Sequence, residues 1–410
     1  MAGEDEQARR ARIAQLARSA APVLARYAAQ VDREASFPAA SVRALRDGGL
    51  FGLLVPEEYG GLGGDLHDLA DAAQILAGGC LSTAMIWVMH GQQVDAIARF
   101  GTERLRKDVL PRIAAGEVYV GSVTTEPGTG SSLLTAHAPL NEAEAAEELR
   151  LERDAPVVTG GEHADAFLVT MRDAPQAAQH RVTMVYAARA QLRVRTSGGW
   201  DPLGMRGTHS VGLRLAGEVP AHQVVGGRGD FRRVAVESMI PAAHVGWSAC
   251  WLGAARAALA AVVALARSPR RPAGLDPASD LVAERLARVR IDLEVVGAYL
   301  GEVVREVCAR RRAGDPLDLP ATQIHLNTLK VVAAESTYRA VDRLVRLTGL
   351  ATGYLKDSPV PLERQLRDLR SASLNYADDR LLVAVGALSL ADRAVATAGG
   401  APAAYQPERS

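Results

Sequence analysis

Two stretches concentrate residue types that can do chemistry. Residues 121–132 read GSVTTEPGTGSS. They place the hydroxyls of Thr124, Thr125, Ser131 and Ser132 around Gly128 and Gly130, directly after an apolar run. Glycines free backbone N–H groups to turn toward a ligand, so such a loop can hold a phosphate or the electron-rich edge of a ring. No Gly-Lys-Ser/Thr follows and the pattern is not GxGxxG, which excludes the common nucleotide loops. A tight β-turn with hydroxyl caps accounts for the same residues equally well. The second stretch, residues 367–379, reads RDLRSASLNYADD. Two arginines flank an acid, Asn375 and Tyr376 interrupt the charges, and Asp378 and Asp379 close it. It fits a catalytic segment, a phosphate clamp or a polar loop before a helix.

Composition narrows the choice. The 410 residues carry 47 Lys+Arg against 47 Asp+Glu. A nucleic-acid binder shows a basic surplus, and this chain has none. Cys80, Cys250 and Cys308 are odd in number and far apart, as for reduced thiols, and no pair has metal-ligand spacing, so no metal is expected. The start, MAGEDEQARRARIAQ, lacks the apolar core of a signal peptide, and no run of 18 apolar residues appears. The expectation is a cytoplasmic globular protein with neither a membrane nor a nucleic-acid partner.

The elements that must position these stretches fall in three blocks. Apolar residues recur at three- and four-residue steps over 8–31, and FPAASVRALRDGG predicts a second helix with Pro38 in its first turn and Gly48 as its stop. After VPEEYGGLGGD, an apolar stretch reads as two helices broken near Gly78-Gly79, and TERLRKDVLPRI as a short amphipathic one. From about 117 the segments EVYVGSVTTE, AFLVTM, RVTMVYAA, LRVRT and VGLRLAGEV are short and β-branched or alternating, as strands are. NEAEAAEELRLERD, among them, is acidic and alanine-rich and reads as a solvated excursion. From 231 long helical patterns return and imply a bundle, with a last helix over 376–398. The fold class is α+β, with an N-terminal helical domain (1–118), a middle β domain (119–230) and a C-terminal four-helix bundle (231–410).

VPEEYGGLGGD, FGTERLRKDVLPRIAAGE, VTTEPGTGSS, DAPVVTGGEHADAFLV, WDPLGMRGTHS and PVPLERQLRDLR occur in this order. Together they resemble the acyl-CoA dehydrogenase superfamily of flavoproteins from about residue 10 to 395, and that family shares the helical–β–helical order. The resemblance implies a tetramer or dimer, a homotetramer being the expectation, with FAD between the β domain, the bundle and a neighbouring subunit. It places Thr124, Thr125 and Ser131 against the flavin ring and phosphates, and Thr159 against the isoalloxazine. Val157 stands where a family tryptophan often stacks. Arg206 and Thr208 match an LG-x-R-x-T/S element and read best as a structural salt bridge and strand cap. The family's Arg-x-x-Phe-Gly stretch corresponds to RSPRRPAG, which keeps Arg267 and loses Phe-Gly. Its Gln-x-x-Gly-Gly stretch corresponds to RLTGLATG, with Arg346 for glutamine and Leu350 for the second glycine. These changes on the adenosine side leave FMN, or an exchangeable reduced flavin supplied by a reductase, as the alternative to FAD.

A family dehydrogenase needs a carboxylate fixed over the α-carbon of an acyl thioester. Counted from Arg367-Asp368, the family's glutamate falls at Tyr376, with Asn375 before it. A second branch puts its glutamate at Ala243, beside His244. Asp378 and Asp379 are close by, but they read best as acids complementing the dipole of the last helix's first turn. The first reading is oxidation of an acyl group on CoA or a carrier protein, with Asp378, Tyr376 or a histidine as base. The alternative is a monooxygenase using reduced flavin and O2, for which Asn375, Tyr376, His90 or His244 supply hydrogen bonds. A non-catalytic family member is the third reading. His90 and His244, each on a helix, also fit as satisfied core residues.

Overall fold

The computed structural model describes residues 2–128, 132–143 and 147–400. The chain divides into two compact units, Met1–Gly246 and Trp247–Ser410.

In the first unit, α1 (Ala2–Glu34), α2 (Ala39–Asp47), α3 (Leu66–Gly79), α4 (Leu81–Phe100) and α5 (Glu103–Ala114) precede the sheets. The break between α3 and α4 falls at Cys80, as the glycine pair suggested, and Pro38 is the N-cap of α2 rather than part of its first turn. α3 begins with a capping box: Asp65 accepts from the backbone of His67 and Asp68, and Asp68 accepts from the Asp65 N–H. Arg9 of α1 pairs with Asp68 at 3.1 Å and fastens α1 to that helix start. The PEEYGGLGG loop is glycine-bound by close approach: a Cβ on Gly61 would lie 2.1 Å from the Val55 carbonyl oxygen.

Two four-stranded sheets follow, made of β1 (Val120–Val123), β2 (Asn141–Glu142), β3 (Glu148–Ala155), β4 (Ala166–Arg172), β5 (Val182–Ala188), β6 (Leu192–Gly198), β7 (Gly212–Pro220) and β8 (Val224–Val225). One sheet has the order β1-β4-β5-β8, with β1 and β4 parallel and Val120 opposite Ala166. The other, β2-β3-β7-β6, is antiparallel throughout. The expected solvated excursion is corrected here. Residues 141–142 and 148–155 are strands β2 and β3, and β3 buries Leu149, Leu151, Arg153 and Ala155 while Arg150, Glu152 and Asp154 face outward. Period-two burial outweighed a composition that looks solvated.

Helix resumes with α6 (Phe231–Val234), a π turn (Ala235–Met239) and α7 (Ile240–Ala266). Over Phe231–Ala266 the helix is long and apolar enough to cross a membrane by length and composition, with a mean hydropathy of 1.8 in its most apolar window; 56% of that window is buried, as in a core helix. The second unit carries α8 (Asp280–Ala313), α9 (Pro320–Gly349), α10 (Leu362–Arg370) and α11 (Asp378–Ser389). α8 and α9 pack along their lengths, and α9 also packs against α10 and α11. The last helix is shorter than expected at both ends. Tyr376 takes φ +56° and Ala377 is a non-helical N-cap (φ −47°, ψ 130°), so the last helix does not begin before Asp378.

Candidate functional site

The residues singled out from the sequence form two groups, one in each unit. In the first unit, β1 delivers Thr124 and Thr125 at its C-terminal end. Thr124 is half-buried and its hydroxyl forms no hydrogen bond within the described residues. The Thr125 hydroxyl donates to the Val157 carbonyl at 2.9 Å, so toward a ligand it offers lone pairs, not a proton. Ser131 lies outside the described residues, whereas Gly128, at the start of the glycine pair, has φ +82°.

This loop stands on a buried ion pair that the sequence reading missed. The two Glu126 oxygens each accept a backbone N–H, from His137 and Ala138, at 2.7 Å. Arg153 of β3 reaches the same carboxylate at 2.6 Å with its side chain fully buried, and also donates to the Thr125 carbonyl at 3.2 Å. Burial pulls on the guanidinium and Glu126 opposes it, so the charge stays where the loop needs it. The signal was present: Arg153 occupies an inward register position between Leu151 and Ala155.

Thr159 sits half-buried beside Gly160, and its carbonyl accepts from the Tyr119 hydroxyl at 2.8 Å. A chain of hydroxyls links it inward. Thr208 donates to the Met205 carbonyl at 2.8 Å, Ser210 lies 2.8 Å from the Thr208 oxygen, and Thr159 lies 3.1 Å from the Ser210 oxygen. Each hydroxyl has one proton. Because Thr208 spends its own on a carbonyl, Ser210 must donate to Thr208 and Thr159 to Ser210. The outer face of Thr159 is therefore an acceptor as well. Val157, 40% exposed, supplies an apolar surface beside it. Thr208 serves as a cap, and Arg206 donates to the Asp32 carbonyl at 2.8 Å and pairs with Asp201 at 2.6 Å, which is structural work.

His90 is fully satisfied. The Val120 N–H donates to its Nδ1 at 3.1 Å, which leaves the proton on Nε2, facing the Phe51 carbonyl at 3.3 Å. Burial holds its pKa at about 3, so the ring is neutral and fixes the start of β1. His244, on α7, is 2% exposed, as is Ala243 beside it.

In the second unit, the turn between α10 and α11 is organised from below by Lys330 of α9. Its ammonium is fully buried, 5.6 Å from the Trp251 ring centroid. Its three protons go to the Ala372 carbonyl at 2.9 Å, the Tyr376 carbonyl at 2.8 Å and Asp378 Oδ1 at 2.5 Å. This explains the positive φ of Tyr376, which turns its carbonyl down to the ammonium. Asp378 does stand in the first turn of the last helix, yet it is more than a dipole complement. It is the buried counter-ion of Lys330, and its Oδ2 has no partner among the described residues. Burial raises the Asp378 pKa, with Lys330 opposing, and lowers that of Lys330, with Asp378 opposing. Asn375 and Tyr376 are half-buried at the top of the turn. Burial raises the Tyr376 hydroxyl above the ordinary phenol value, so at neutral pH it is a proton donor. Arg267 is exposed just after α7, Arg346 pairs with Asp342 of its own helix at 2.9 Å, and Leu350 is 69% exposed.

The donor set suits a flavin. Thr124, Thr125 and Thr159 present hydroxyl oxygens able to accept the ring N–H of such a group. A Cβ on Gly160 would meet the Tyr119 hydroxyl at 2.8 Å, so the backbone beside Thr159 has no room for a bulkier residue.

Comparison with known proteins agrees. Residues 3–117 match the acyl-CoA dehydrogenase N-terminal domain and residues 245–377 the acyl-CoA dehydrogenase C-terminal domain. The chain is 24% identical to the mitochondrial isobutyryl-CoA dehydrogenase of Dictyostelium discoideum over 87% of its own length and 82% of the relative's. Butyryl-CoA dehydrogenase from Megasphaera elsdenii shares its fold with a TM-score of 0.82 at 20% identity, covering 93% of this chain and 98% of that one. The dibenzothiophene monooxygenase of Paenibacillus sp. A11-2, also solved with FMN, superposes with the same TM-score, identity and coverage. The chain belongs to the acyl-CoA dehydrogenase family, and it is an oxidoreductase of that flavoprotein class.

Proposed function

We propose that this enzyme is a flavin-dependent monooxygenase that acts on a small molecule with reduced flavin and O2. One observation carries the reading: Tyr376, to which an ungapped count from Arg367-Asp368 assigns the family's glutamate, keeps its phenol protonated through burial. A protonated phenol donates a hydrogen bond and cannot take an α-proton at neutral pH. Reduced flavin supplies the two electrons that split O2, so that one oxygen atom enters the substrate and the other leaves as water. For this chemistry Tyr376 and Asn375 hold the reacting groups by hydrogen bonds. Thr124, Thr125 and Thr159 orient the ring.

The adenosine side supports the same reading. Arg346 makes a surface ion pair with Asp342 where the resemblance puts a glutamine, and exposed Leu350 stands where it puts a glycine. Such a site favours FMN or an exchangeable reduced flavin from a reductase over tightly held FAD. A homotetramer, with exposed Arg267 reaching a neighbouring subunit, and a cytoplasmic location belong to this proposal.

A second reading rests on Asp378. Its Oδ2, without a hydrogen-bond partner among the described residues, and its burial-raised pKa are what an α-proton base in a dry site requires. In that case the substrate is an acyl group on CoA or a carrier protein.

Stopped-flow absorbance separates the two. Mixing the reduced flavoprotein with O2 is expected to give a transient band distinct from oxidised and reduced flavin. Tyr376→Phe should lower product per reduced flavin by about 10²-fold. Anaerobic bleaching by an acyl thioester, lost in Asp378→Asn, would establish the second reading instead. Were that the outcome, Tyr376→Glu should further raise the rate.

A further inference from the structure

No cysteine pair in the sequence has metal-ligand spacing, but the fold brings three ligands together from separated segments. Glu162 and His163 sit on the short turn after Gly160-Gly161, and His209 on the loop after Thr208. One ligand atom from each lies within 4.8 Å of the other two. His209 Nδ1 is 3.6 Å from a Glu162 oxygen, and that nitrogen is buried without a hydrogen-bond partner among the described residues.

We propose that Glu162, His163 and His209 form a binding site for one divalent transition-metal ion of the zinc class. Two imidazoles and a carboxylate suit Zn2+, Co2+ or Ni2+ over Mg2+ and Ca2+, which prefer all-oxygen shells. Tetrahedral zinc sites with bonds near 2.0–2.1 Å set their ligand atoms about 3.3 Å apart, so the His209–Glu162 spacing needs little change. Three protein ligands leave a fourth position for water or a small anion.

The surroundings hold each ligand in place. Thr196 of β6 donates to the other Glu162 oxygen, as an outer-shell partner of a ligating carboxylate does. The His163 ring stacks on Phe37, with centroids 4.0 Å apart and planes 14° from parallel. Arg189 donates to the carbonyls of Gly161 and Ala164 at 3.1 and 3.2 Å and clamps the turn that carries two of the ligands. His209 keeps φ +45°, a left-handed conformation a non-glycine residue rarely adopts without local support.

Position gives the site a consequence. Thr159 precedes Glu162 by three residues, and Ser210 follows His209 directly. A bound ion therefore ties together the two segments that carry the hydroxyl chain behind Thr159.

Isothermal titration of the full-length protein with ZnCl2 tests this, alongside the visible spectrum with CoCl2. One saturable ion per chain is expected, with a Co2+ spectrum of tetrahedral intensity and a rise in Tm on Zn2+ addition. His209→Asn keeps a residue that tolerates the left-handed backbone, and His163→Gln leaves the backbone unaffected. Each should weaken binding by more than about tenfold, and Thr196→Val by about tenfold. Absence of saturable binding, or unchanged stoichiometry and affinity in both histidine variants, would overturn the proposal.

Discussion

Each unit sets its chemistry-bearing loop on a buried ion pair, and the two pairs are built differently. Under the TEPG loop, Glu126 has both oxygens engaged by backbone N–H groups and Arg153. Under the 371–377 turn it is the cation that is saturated, since Lys330 has placed all three protons and Asp378 keeps one oxygen without a partner among the described residues. Arginine cannot shed its proton in a protein, whereas a buried lysine can. The first pair is thus a permanent charge pair that fixes a loop, and the second can change protonation. The first arrangement suits a loop that must stay rigid, and the second a turn whose charge can change.

The largest effect should come from breaking the permanent pair. Glu126→Ala leaves Arg153 charged and buried, and orphans the N–H groups of His137 and Ala138. Breaking a buried pair costs about 3–5 kcal/mol, and each orphaned donor adds about 1–3 kcal/mol. A large drop in denaturation midpoint with loss of flavin uptake is expected. An unchanged midpoint would mean that this pair bears no more weight than a surface one.

The titratable pair should give a smaller loss that depends on pH. In Asp378→Asn, Lys330 loses its counter-ion and its folded-state pKa falls further below the ordinary 10.5. At neutral pH the folded state then carries an uncompensated ammonium, at a cost of about 3 kcal/mol. As pH rises toward 10.5 the unfolded chain also loses its proton, so the deficit shrinks. Lys330→Met runs the other way. Asp378 is driven further above 3.8, the deficit is full above its folded pKa, and it disappears as pH falls below the unfolded value. Chemical denaturation of both variants from pH 4 to pH 10 checks the opposite slopes. Parallel slopes would mean the pair does not titrate.

The two regions also differed in what their sequences disclosed. Strand segments such as RVTMVYAA were legible because alternation and β-branching are local properties, as was the loop order TEPGTGSS. The parallel pairing of β1 with β4 was not, since Val120 and Ala166 meet only after 45 intervening residues fold back. Arg153 was half-legible: its register gave an inward position, but an acidic, alanine-rich neighbourhood masked the strand. Lys330 was not legible at all. It lies in a long helical pattern, 46 positions before the turn it supports, and nothing local marks one lysine as buried. Glu162, His163 and His209 were invisible as a group for the same reason.

The smallest effect should come at Tyr376, and it sharpens what the Lys330 pair is for. A non-glycine residue in the left-handed region costs about 1–2 kcal/mol, and here the Lys330 bond to the Tyr376 carbonyl offsets that cost. Tyr376→Gly removes the strain and keeps the carbonyl where it is. It also removes a half-buried ring worth a similar amount. The two should nearly cancel, and the denaturation midpoint should shift by less than about 1 kcal/mol in stability. In a Lys330→Met background the carbonyl is no longer held, so the turn can relax and the glycine's freedom has less strain to relieve. The same substitution should then be more destabilising, with the difference appearing as a coupling energy in a double-mutant cycle. Strict additivity would show that Lys330 does not hold Tyr376 in its strained conformation and that the turn owes its shape to α10 and α11 alone.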